Sequence, residues 1–136
     1  GTGGSNFIAI ERLRRGSNPL KKFEDWGIPT PISLIEVLTT VGSKADVIAS
    51  GGLKDGLDAA KSIALGAKAV AYAGSILHIL YNKGPSGLEK HILQIEKEIK
   101  YVMAMTGASN LAELRKRPVI IKGKTYHWMK YRGISI

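Results

Sequence analysis

The sequence predicts an α/β fold in which short parallel strands alternate with helices. Two successive units, at residues 47–61 and 67–80, each join a short apolar run to a glycine turn and then to a helical pattern. One helix lies between the two apolar runs, as in a crossover between parallel strands. A third strand–helix unit precedes them at residues 28–41. Repetition of this unit is typical of α/β folds with a parallel sheet.

The first 42 residues contain a loop, a turn and the first strand–helix unit. Residues 1–7 are a glycine-rich loop, and because such a loop usually follows a strand, we expect its supporting strand to be missing from this chain. Residues 16–19 predict a turn. The prolines around residues 28–30 favour extended backbone and predict a short strand. A capping box formed by Ser33 and Glu36 opens a helix that Gly42 ends. The predicted apolar face of this helix comprises Leu34, Val37, Leu38 and Val41.

The strand–turn segment at residues 47–54 has the features of an anion site. Residues 47–49 predict a strand buried on both faces. Ser50, Gly51 and Gly52 follow, and glycines allow a bulky anion to approach main-chain N–H groups closely. Lys54 adds a cation. The segment therefore predicts a phosphate cradle, and the alternative interpretation is a turn of purely structural importance.

The helix after this turn is expected to contribute its positive end to the cradle. Asp55 is the predicted N-cap. The predicted apolar face comprises Leu57, Ala60 and Ala64, and Gly66 is expected to end the helix in a left-handed conformation.

The second unit repeats the arrangement. A buried strand beginning at Ala67 runs into Ala73, Gly74 and Ser75, and a short apolar helix is predicted over residues 76–80. Barrels of alternating strands and helices often bind phosphate between the loops after their seventh and eighth strands, with help from a short extra helix. We therefore predict that the turn at Gly51 and Gly52 and the turn at Ala73 and Gly74 form one phosphate site.

The last third of the chain is predicted to be largely helical. After a turn at residues 82–85, a second capping box, at Ser86 and Glu89, opens the longest helix, which ends at Gly107. Ser109 or Asn110 caps a short helix over residues 111–116, and residues 119–121 predict a strand. The apolar face of the long helix comprises Leu88, Ile92, Ile95, Ile99, Val102 and Met103.

The length of 136 residues allows one domain at most. Three parallel strands alone would leave two open edges and a half-covered core, whereas a complete (β/α)8 barrel takes roughly 250 residues. We therefore expect residues 1–136 to be the C-terminal half of a TIM barrel, with an extra phosphate-binding helix and a C-terminal helical tail. We accordingly expect the N-terminal half to be absent from this chain.

Composition narrows the classes of partner. The net charge of +9 would normally suggest polyanions, but the basic groups at residues 12–22 and 115–132 accompany no nucleic-acid motif. We interpret most of these charges as solvated faces and salt-bridge partners, and expect neither nucleic acid nor membrane as a partner. No membrane span or targeting segment is evident, and the absence of cysteine fits a cytoplasmic location.

Few titratable residues have the spacing of a catalytic or metal site. His78, His91 and His127 have no ligand partner at helical spacing, so we predict no metal site. Asp55 and Asp58 are better explained by helix capping than by acid–base chemistry. Glu11 follows the opening loop, and pairing with the nearby arginines is the favoured interpretation.

Four segments together resemble the type 2 isopentenyl-diphosphate isomerases. Residues 1–11 are similar to the family's G-x-G-G-[TS]-[NS]-[WF]-x-x-[IV]-E segment, and residues 25–37 to its sixth strand and helix. Residues 50–67 resemble its seventh unit, although many flavin- and nucleotide-binding barrels share that motif. Residues 105–114 are similar to its C-terminal helices. The resemblance extends from Gly1 to about Gly133.

This resemblance implies an FMN-dependent, Mg²⁺-assisted interconversion of isopentenyl and dimethylallyl diphosphate in a cytoplasmic homo-oligomer. The flavin would work in its reduced form, made with NADPH, without net redox change. Ser5 matches a hydroxyl residue that contacts FMN. The first phosphate loop is matched by Gly51, Gly52, Leu53 and Lys54, and the second by Ala73 and Gly74.

Two positions depart from the family pattern, and the catalytic residues have no counterpart. Lys54 stands where many relatives have arginine, which keeps the charge but loses bidentate geometry, and Ser5 stands where many have threonine. The Gln–Glu pair that holds Mg²⁺ belongs to the family's N-terminal half. We therefore expect no catalytic residue and no metal ligand here, and an inactive chain unless a missing segment or a separate chain completes the site.

Two alternatives remain at this point. One is a fragment of an FMN-dependent hydroxy-acid oxidase or dehydrogenase, although the catalytic His followed closely by Gly-Gly-Arg that is typical of those enzymes is absent. The other is a non-catalytic basic module that binds polyanions.

Overall fold

A computed structural model of the chain describes residues 6–16 and 19–135. Six α-helices and two strands lie in these ranges, and strands alternate with helices only in the central part of the chain. Their bounds are α1 Phe7–Arg15, α2 Thr30–Val41, β1 Ile48–Ser50, α3 Gly56–Ala64, β2 Ala69–Ala71, α4 Gly74–Thr106, α5 Leu111–Leu114 and α6 Gly123–Arg132. Short 3₁₀ helices cover Pro19–Phe23 and Gly42–Lys44.

The two strands confirm the predicted crossover. β1 and β2 pair in parallel, with Ser50 opposite Ala71, and α3 connects them. The prediction that β1 is buried on both faces is wrong, because Ala49 is 2% exposed whereas Ile48 is 61% exposed. Helices therefore cover one face of the sheet, and the other face is open.

The prediction of a third strand at residues 28–30 is also wrong. Thr30 is the first residue of α2, and the described residues contain no strand before β1. Pro29 is extended, as expected, but it serves as the N-cap, and Pro31 lies in the first turn, where its missing N–H is harmless. The helix therefore begins three residues before the predicted capping box at Ser33.

The core consists of two groups of buried residues on the covered face. The first joins α3 to the end of α4 and to α5 through Ala60, Ile63, Ala108 and Leu114. The second packs α2 on the strands through Leu34, Ala49 and Ala67, and Val70 packs against both groups. Together they fix α2 and α3 beside the strands whose ends carry the predicted site.

Several helix ends agree with the sequence prediction. Asp55 caps α3 through its side chain, Asn110 caps α5 in the same way, and Gly42 and Gly107 end their helices. The buried face of α3 differs from the prediction, because Leu57 is 46% exposed and Ala59 and Ile63 are buried instead. Gly66 has a positive φ of 119°, two residues beyond the end of the helix.

The predicted turn at residues 82–85 is confirmed as an interruption of the helix. α4 spans Gly74–Thr106 but consists of two helices that meet at Gly84, whose angles, φ 67° and ψ −173°, are non-helical. The helix predicted over residues 76–80 is the first part of α4, and the predicted long helix is the second part. Pro85 and the positive φ of Gly84 account for the bend.

The sequence did not predict α1, and it predicted a helical tail without the position of α6. α1 begins after Asn6, whose side chain accepts a hydrogen bond from the N–H of Ala9. The strand predicted at residues 119–121 is wrong, and α6 follows this irregular segment instead. No helix in the described part of the chain is long and apolar enough to cross a membrane.

Candidate functional site: two neighbouring loops at the ends of parallel strands

Two loops lie side by side at the carboxyl ends of β1 and β2. The first loop is residues 51–55, between β1 and α3, and the second loop is residues 72–73, between β2 and α4. The parallel register brings their starting points together, and the Ser75 Oγ, in the first turn of α4, lies 3.3 Å from the Leu53 carbonyl oxygen as a hydrogen-bond donor. The two turns are therefore neighbours, as a shared phosphate site requires, and the site itself stays a prediction.

The first loop requires glycine at its beginning. Gly51 and Gly52 have φ values of 108° and 76°, a region that side-chain-bearing residues rarely adopt. The Thr30 hydroxyl donates a 2.7 Å hydrogen bond to the Gly51 carbonyl. A Cβ at Gly51 would lie 2.9 Å from that same hydroxyl oxygen, so α2 closes tightly over this turn.

Backbone donors remain available in the middle of the first loop. No acceptor in the described residues takes a hydrogen bond from the N–H of Gly52 or Leu53. The N–H of Lys54 differs, because it donates to the Asp58 carboxylate over 3.2 Å, and the Lys54 side chain is exposed. The loop therefore offers two amides and one ammonium group to an anion.

The second loop leads directly into an uncapped helix. Ala73 is the N-cap of α4 and has no side chain that could accept from the first turn. The first N–H groups of a helix have no intrahelical acceptor and carry the positive end of its dipole. A Cβ built on Gly74 meets no atom within 4 Å, so there is room for a ligand beside this turn.

The N-terminus of α3, in contrast, is already occupied by carboxylates. The Gly56 N–H donates to Glu98 Oε2 over 2.7 Å, and the Asp58 N–H donates to Asp55 Oδ1 over 2.9 Å. Two of the N–H groups at the α3 N-terminus are therefore taken by acidic groups of the chain, whereas no side chain caps the first turn of α4. The contribution of the α3 N-terminus to the cradle stays a prediction.

Tyr72 also connects the two loops. Its hydroxyl donates a 2.7 Å hydrogen bond to the Asp55 carbonyl. Burial, followed by the charges of Asp55 and Asp58, raises the pKa of Tyr72 to about 12, so the hydroxyl remains a neutral donor. The phenol thus fixes the end of the first loop without adding a charge to the site.

The sequence did not reveal Thr30, Tyr72 or Glu98 as parts of this region. Each acts across a distance in the chain, and Glu98 lies 42 residues from its partner. Of these three residues, only Tyr72 could have been identified from its position, because it directly precedes the predicted turn at Ala73 and Gly74. Ser5 and the rest of the opening loop at residues 1–5 lie outside the described residues, so the predicted flavin contact of Ser5 remains a prediction.

Most arginines of the basic segments have partners within the described chain. Glu11 pairs with Arg14 and Arg15, which confirms its predicted structural role, and Arg12 pairs with Glu24. A second set binds backbone carbonyls or carboxylates: Arg115 contacts Ala67 and Lys68, Arg117 contacts Gly107, and Arg132 contacts Glu36. These guanidinium groups stabilise helix ends and contacts between elements, which weakens the case for a polyanion-binding surface.

The histidines do not meet at a common point. Within residues 6–16 and 19–135, no group of three or more histidine, aspartate or glutamate side chains could hold a metal ion. His78 is exposed and contacts Asn82 of its own helix. The absence of a metal site from the whole chain stays a prediction.

Comparison with known proteins places these features in a family. The model of the FMN-dependent dehydrogenase family matches residues 25–121. An isopentenyl-diphosphate delta-isomerase of Bacillus pumilus is 46% identical over 135 residues, which are 99% of this chain and 38% of that protein. The corresponding protein of Methanopyrus kandleri is 35% identical over 140 residues, again 38% of its length. The resemblance to isopentenyl-diphosphate isomerases is confirmed, and the chain spans well under half of these relatives.

Solved structures support the same fold. A mandelate oxidase in complex with (S)-2-phenylpropionate matches 70% of this chain and 29% of its own, with a TM-score of 0.64 and 25% identity. A lactate oxidase of Pediococcus acidilactici matches 70% of this chain and 27% of its own, with a TM-score of 0.63 and 24% identity. The two parallel strands and their helices are thus part of a (β/α) barrel. Because the family match includes both loops and more than half of the sequence, this chain belongs to the FMN-dependent dehydrogenase family.

Proposed function

We propose that this chain is part of an FMN-dependent isomerase that interconverts isopentenyl diphosphate and dimethylallyl diphosphate. The observation that carries the proposal is the 46% identity with the Bacillus pumilus isomerase over 99% of the chain. Relatives from distant organisms have the same activity in their names, including that of Methanopyrus kandleri. The chain's own contribution is the site for the FMN phosphate.

The two neighbouring loops provide what a phosphate dianion requires. The N–H groups of Gly52 and Leu53 have no acceptor among the described residues, and the first turn of α4, beginning at Gly74, lies beside their loop. Ala73 and Gly51 supply the backbone bends, and the Lys54 ammonium adds a charge. Hydrogen bonds from several amides to an anion are stronger than those between neutral groups. We call Gly52, Leu53, Lys54 and the first turn of α4 the phosphate cradle.

The chemistry of the reaction belongs to the flavin and to groups outside this chain. Reduced FMN, made with NADPH, would supply the reactive centre, and Mg²⁺ would bind the substrate diphosphate. The residues here bind and orient the cofactor phosphate, with Ser5 as a further hydroxyl contact. We propose that residues 1–136 are the C-terminal half of the barrel, and that the N-terminal half supplies the acids and bases in a cytoplasmic homo-oligomer.

An activity assay of the full-length protein that contains this chain tests the proposal. With FMN, NADPH and Mg²⁺ present, isopentenyl diphosphate should be converted to dimethylallyl diphosphate. Omission of FMN should abolish the conversion. Absence of turnover in a preparation that is saturated with reduced FMN would contradict the proposal.

The solved structures favour a second candidate, a 2-hydroxy-acid oxidase. Mandelate oxidase and lactate oxidase share the fold, with 24–26% identity to this chain. The same full-length preparation should therefore be supplied with lactate and with mandelate, and oxygen consumption should be measured. Oxidation of either acid without diphosphate isomerisation would replace the first proposal by the second.

A further inference from the structure

We propose that Glu98 is a positioning residue of the phosphate cradle, which it serves by fixing the start of α3. This inference rests on the proposed FMN site. Glu98 lies on α4 and is partly buried, and its Oε2 accepts a 2.7 Å hydrogen bond from the N–H of Gly56, the first residue of α3. A carboxylate at this position also complements the positive end of the α3 dipole.

The contact depends on a very close approach of the two helices. A Cβ at Gly56 would lie 2.4 Å from the Ile95 carbonyl oxygen and 2.5 Å from the Glu98 Cβ. No side chain fits between them, so Gly56 is the residue that allows Glu98 to reach the backbone of α3. The second carboxylate oxygen is held by the Gln94 side chain, which donates a 2.8 Å hydrogen bond. Both oxygens of Glu98 are thus occupied within the protein.

Hydrogen bonds and one peptide link between neighbouring residues lead from Glu98 to the cradle. Gly56 directly follows Asp55, whose side chain caps α3 through Asp58 and whose carbonyl accepts from Tyr72. Asp58 in turn accepts from the N–H of Lys54, the last residue of the cradle in the first loop. Fixing Gly56 therefore fixes the end of the loop that presents Gly52 and Leu53.

Glu98 also affects which backbone N–H groups are available to the phosphate. Without its carboxylate, the Gly56 N–H and the positive end of α3 would be available to a phosphate a few residues away from the cradle. With it, the first turn of α4 and the amides of the first loop are the donors that an incoming phosphate meets. Glu98 thus directs the phosphate to one position as well as holding the loop.

Comparison of FMN with riboflavin separates this role from general stability. Riboflavin has the same ring system but lacks the phosphate, so its binding does not depend on the cradle. With the full-length protein, the dissociation constants of both flavins are measured by flavin fluorescence for the wild type, Glu98→Ala and Glu98→Gln. The matched control is Glu96→Ala, at an exposed position of the same helix.

We expect Glu98→Ala to weaken FMN binding by about tenfold or more, since a hydrogen bond of an ionised group is lost. Riboflavin binding should not change, and Glu98→Gln, which keeps an acceptor, should restore most of the FMN affinity. The control should bind both flavins like the wild type. An equal loss for both flavins, or unchanged FMN binding in Glu98→Ala, would overturn the inference.

Two further results keep the test decisive. If Glu98→Ala does not fold, Gln94→Ala, which removes the support of the second oxygen, should lower the preference for FMN by about two- to threefold. An unchanged preference in Gln94→Ala would then reject the role of Glu98. If the wild type itself binds both flavins equally, the phosphate site has failed, and the failure is not specific to Glu98.

Discussion

At the scale of single residues, Gly51 combines a positive φ with a lack of space for a side chain. A Cβ there would meet the Thr30 hydroxyl at 2.9 Å, and the φ of 108° is unfavourable for any L side chain. We expect Gly51→Ala to lower the free energy of unfolding by about 1–3 kcal/mol. Urea unfolding measures this loss. Gly133→Ala, where φ is 65° and no atom lies within 4 Å, reports the backbone strain alone and should cost less.

Lys54 is the one side chain of the cradle that carries a charge. It is exposed, so its removal should not affect folding. We expect Lys54→Ala to weaken FMN binding by about tenfold while leaving riboflavin binding unchanged, because only the phosphate pairs with the ammonium group. Lys54→Arg should bind FMN at least as well as the wild type, since a guanidinium can contact phosphate in a bidentate way.

Lys61→Ala serves as the control for Lys54, because this exposed lysine is on α3, away from the loops. Its affinity for FMN should equal that of the wild type. A similar loss in both lysine variants would show that the effect of Lys54 arises from net charge rather than from a contact.

The sequence revealed those residues of the site whose role is local. The glycine turn at Gly51 and Gly52, the Asp55 cap and the second turn at Ala73 depend on neighbours within a few positions, where spacing rules apply. Thr30 and Glu98 bind partners that are 21 and 42 residues away. No periodicity in one sequence records such contacts, so the true state of the α3 N-terminus could not be predicted.

At the scale of secondary-structure elements, the crossing of α3 and α4 depends on Gly56. Its backbone touches α4 so closely that an added methyl group would overlap the Ile95 carbonyl, which cannot move aside as a flexible side chain would. We expect Gly56→Ala to destabilise the protein by about 2 kcal/mol or more, as in other overpacked sites. Thermal unfolding should show this as a lower Tm.

Gly74→Ala is the matched control for Gly56→Ala, because a Cβ at Gly74 meets no atom within 4 Å. Its Tm should stay close to that of the wild type. Equal Tm values for both variants would contradict the close packing of α3 against α4.

The contact between α2 and α6 should depend on pH. Glu36 accepts hydrogen bonds from Trp128 at 2.7 Å and from Arg132 at 2.9 Å. The Arg132 bond, followed by that of Trp128, lowers the pKa of Glu36. A carboxyl with a lowered pKa stabilises the fold above the ordinary glutamate range, and this stabilisation disappears as the pH falls through its folded pKa.

Trp128 fluorescence can follow this transition in a Trp26→Phe background, since Trp26 is 76% exposed and would add its own signal. We expect an emission change with a midpoint below the ordinary glutamate range. Glu36→Gln should abolish it. A midpoint at the ordinary value, or the same transition in Glu36→Gln, would show that the carboxylate does not hold α6.

Secondary-structure elements were predictable where a pattern and a stop signal agreed. The start of α3 and the end of α4 satisfy both conditions, since Asp55 and Gly107 are the caps that the sequence predicted. α2 began earlier than expected because Pro29 and Pro31 act as a helix start rather than as strand residues. α6 lacks a clear apolar stripe and a side-chain cap, and its contacts to Glu36 lie 92 and 96 residues away in sequence.

At the scale of the whole molecule, the sheet is covered on one side only. The exposed positions Ile48, Ser50, Ala69 and Ala71 share the open face of β1 and β2, while helices cover Ala49. In a closed barrel, alternate side chains of every strand point to the interior. The open face is therefore where we propose that the remaining strands of the barrel complete the core.

The parallel pair and its crossover were predictable because α/β units carry a strong local signal. The prediction of a third strand failed, because residues 28–30 have no partner strand among the described residues and Thr30 begins a helix instead. Local sequence patterns thus predicted the two central strands and their crossover helix, and they failed at residues 28–30, which have no partner strand among the described residues.

The binding of FMN relative to riboflavin by the wild-type full-length protein tests the central claim most directly. If the two neighbouring loops bind the phosphate, FMN should bind at least about 100-fold more tightly, because several charge-assisted hydrogen bonds depend on that group. Equal dissociation constants for FMN and riboflavin would contradict the assignment of these loops as a phosphate site.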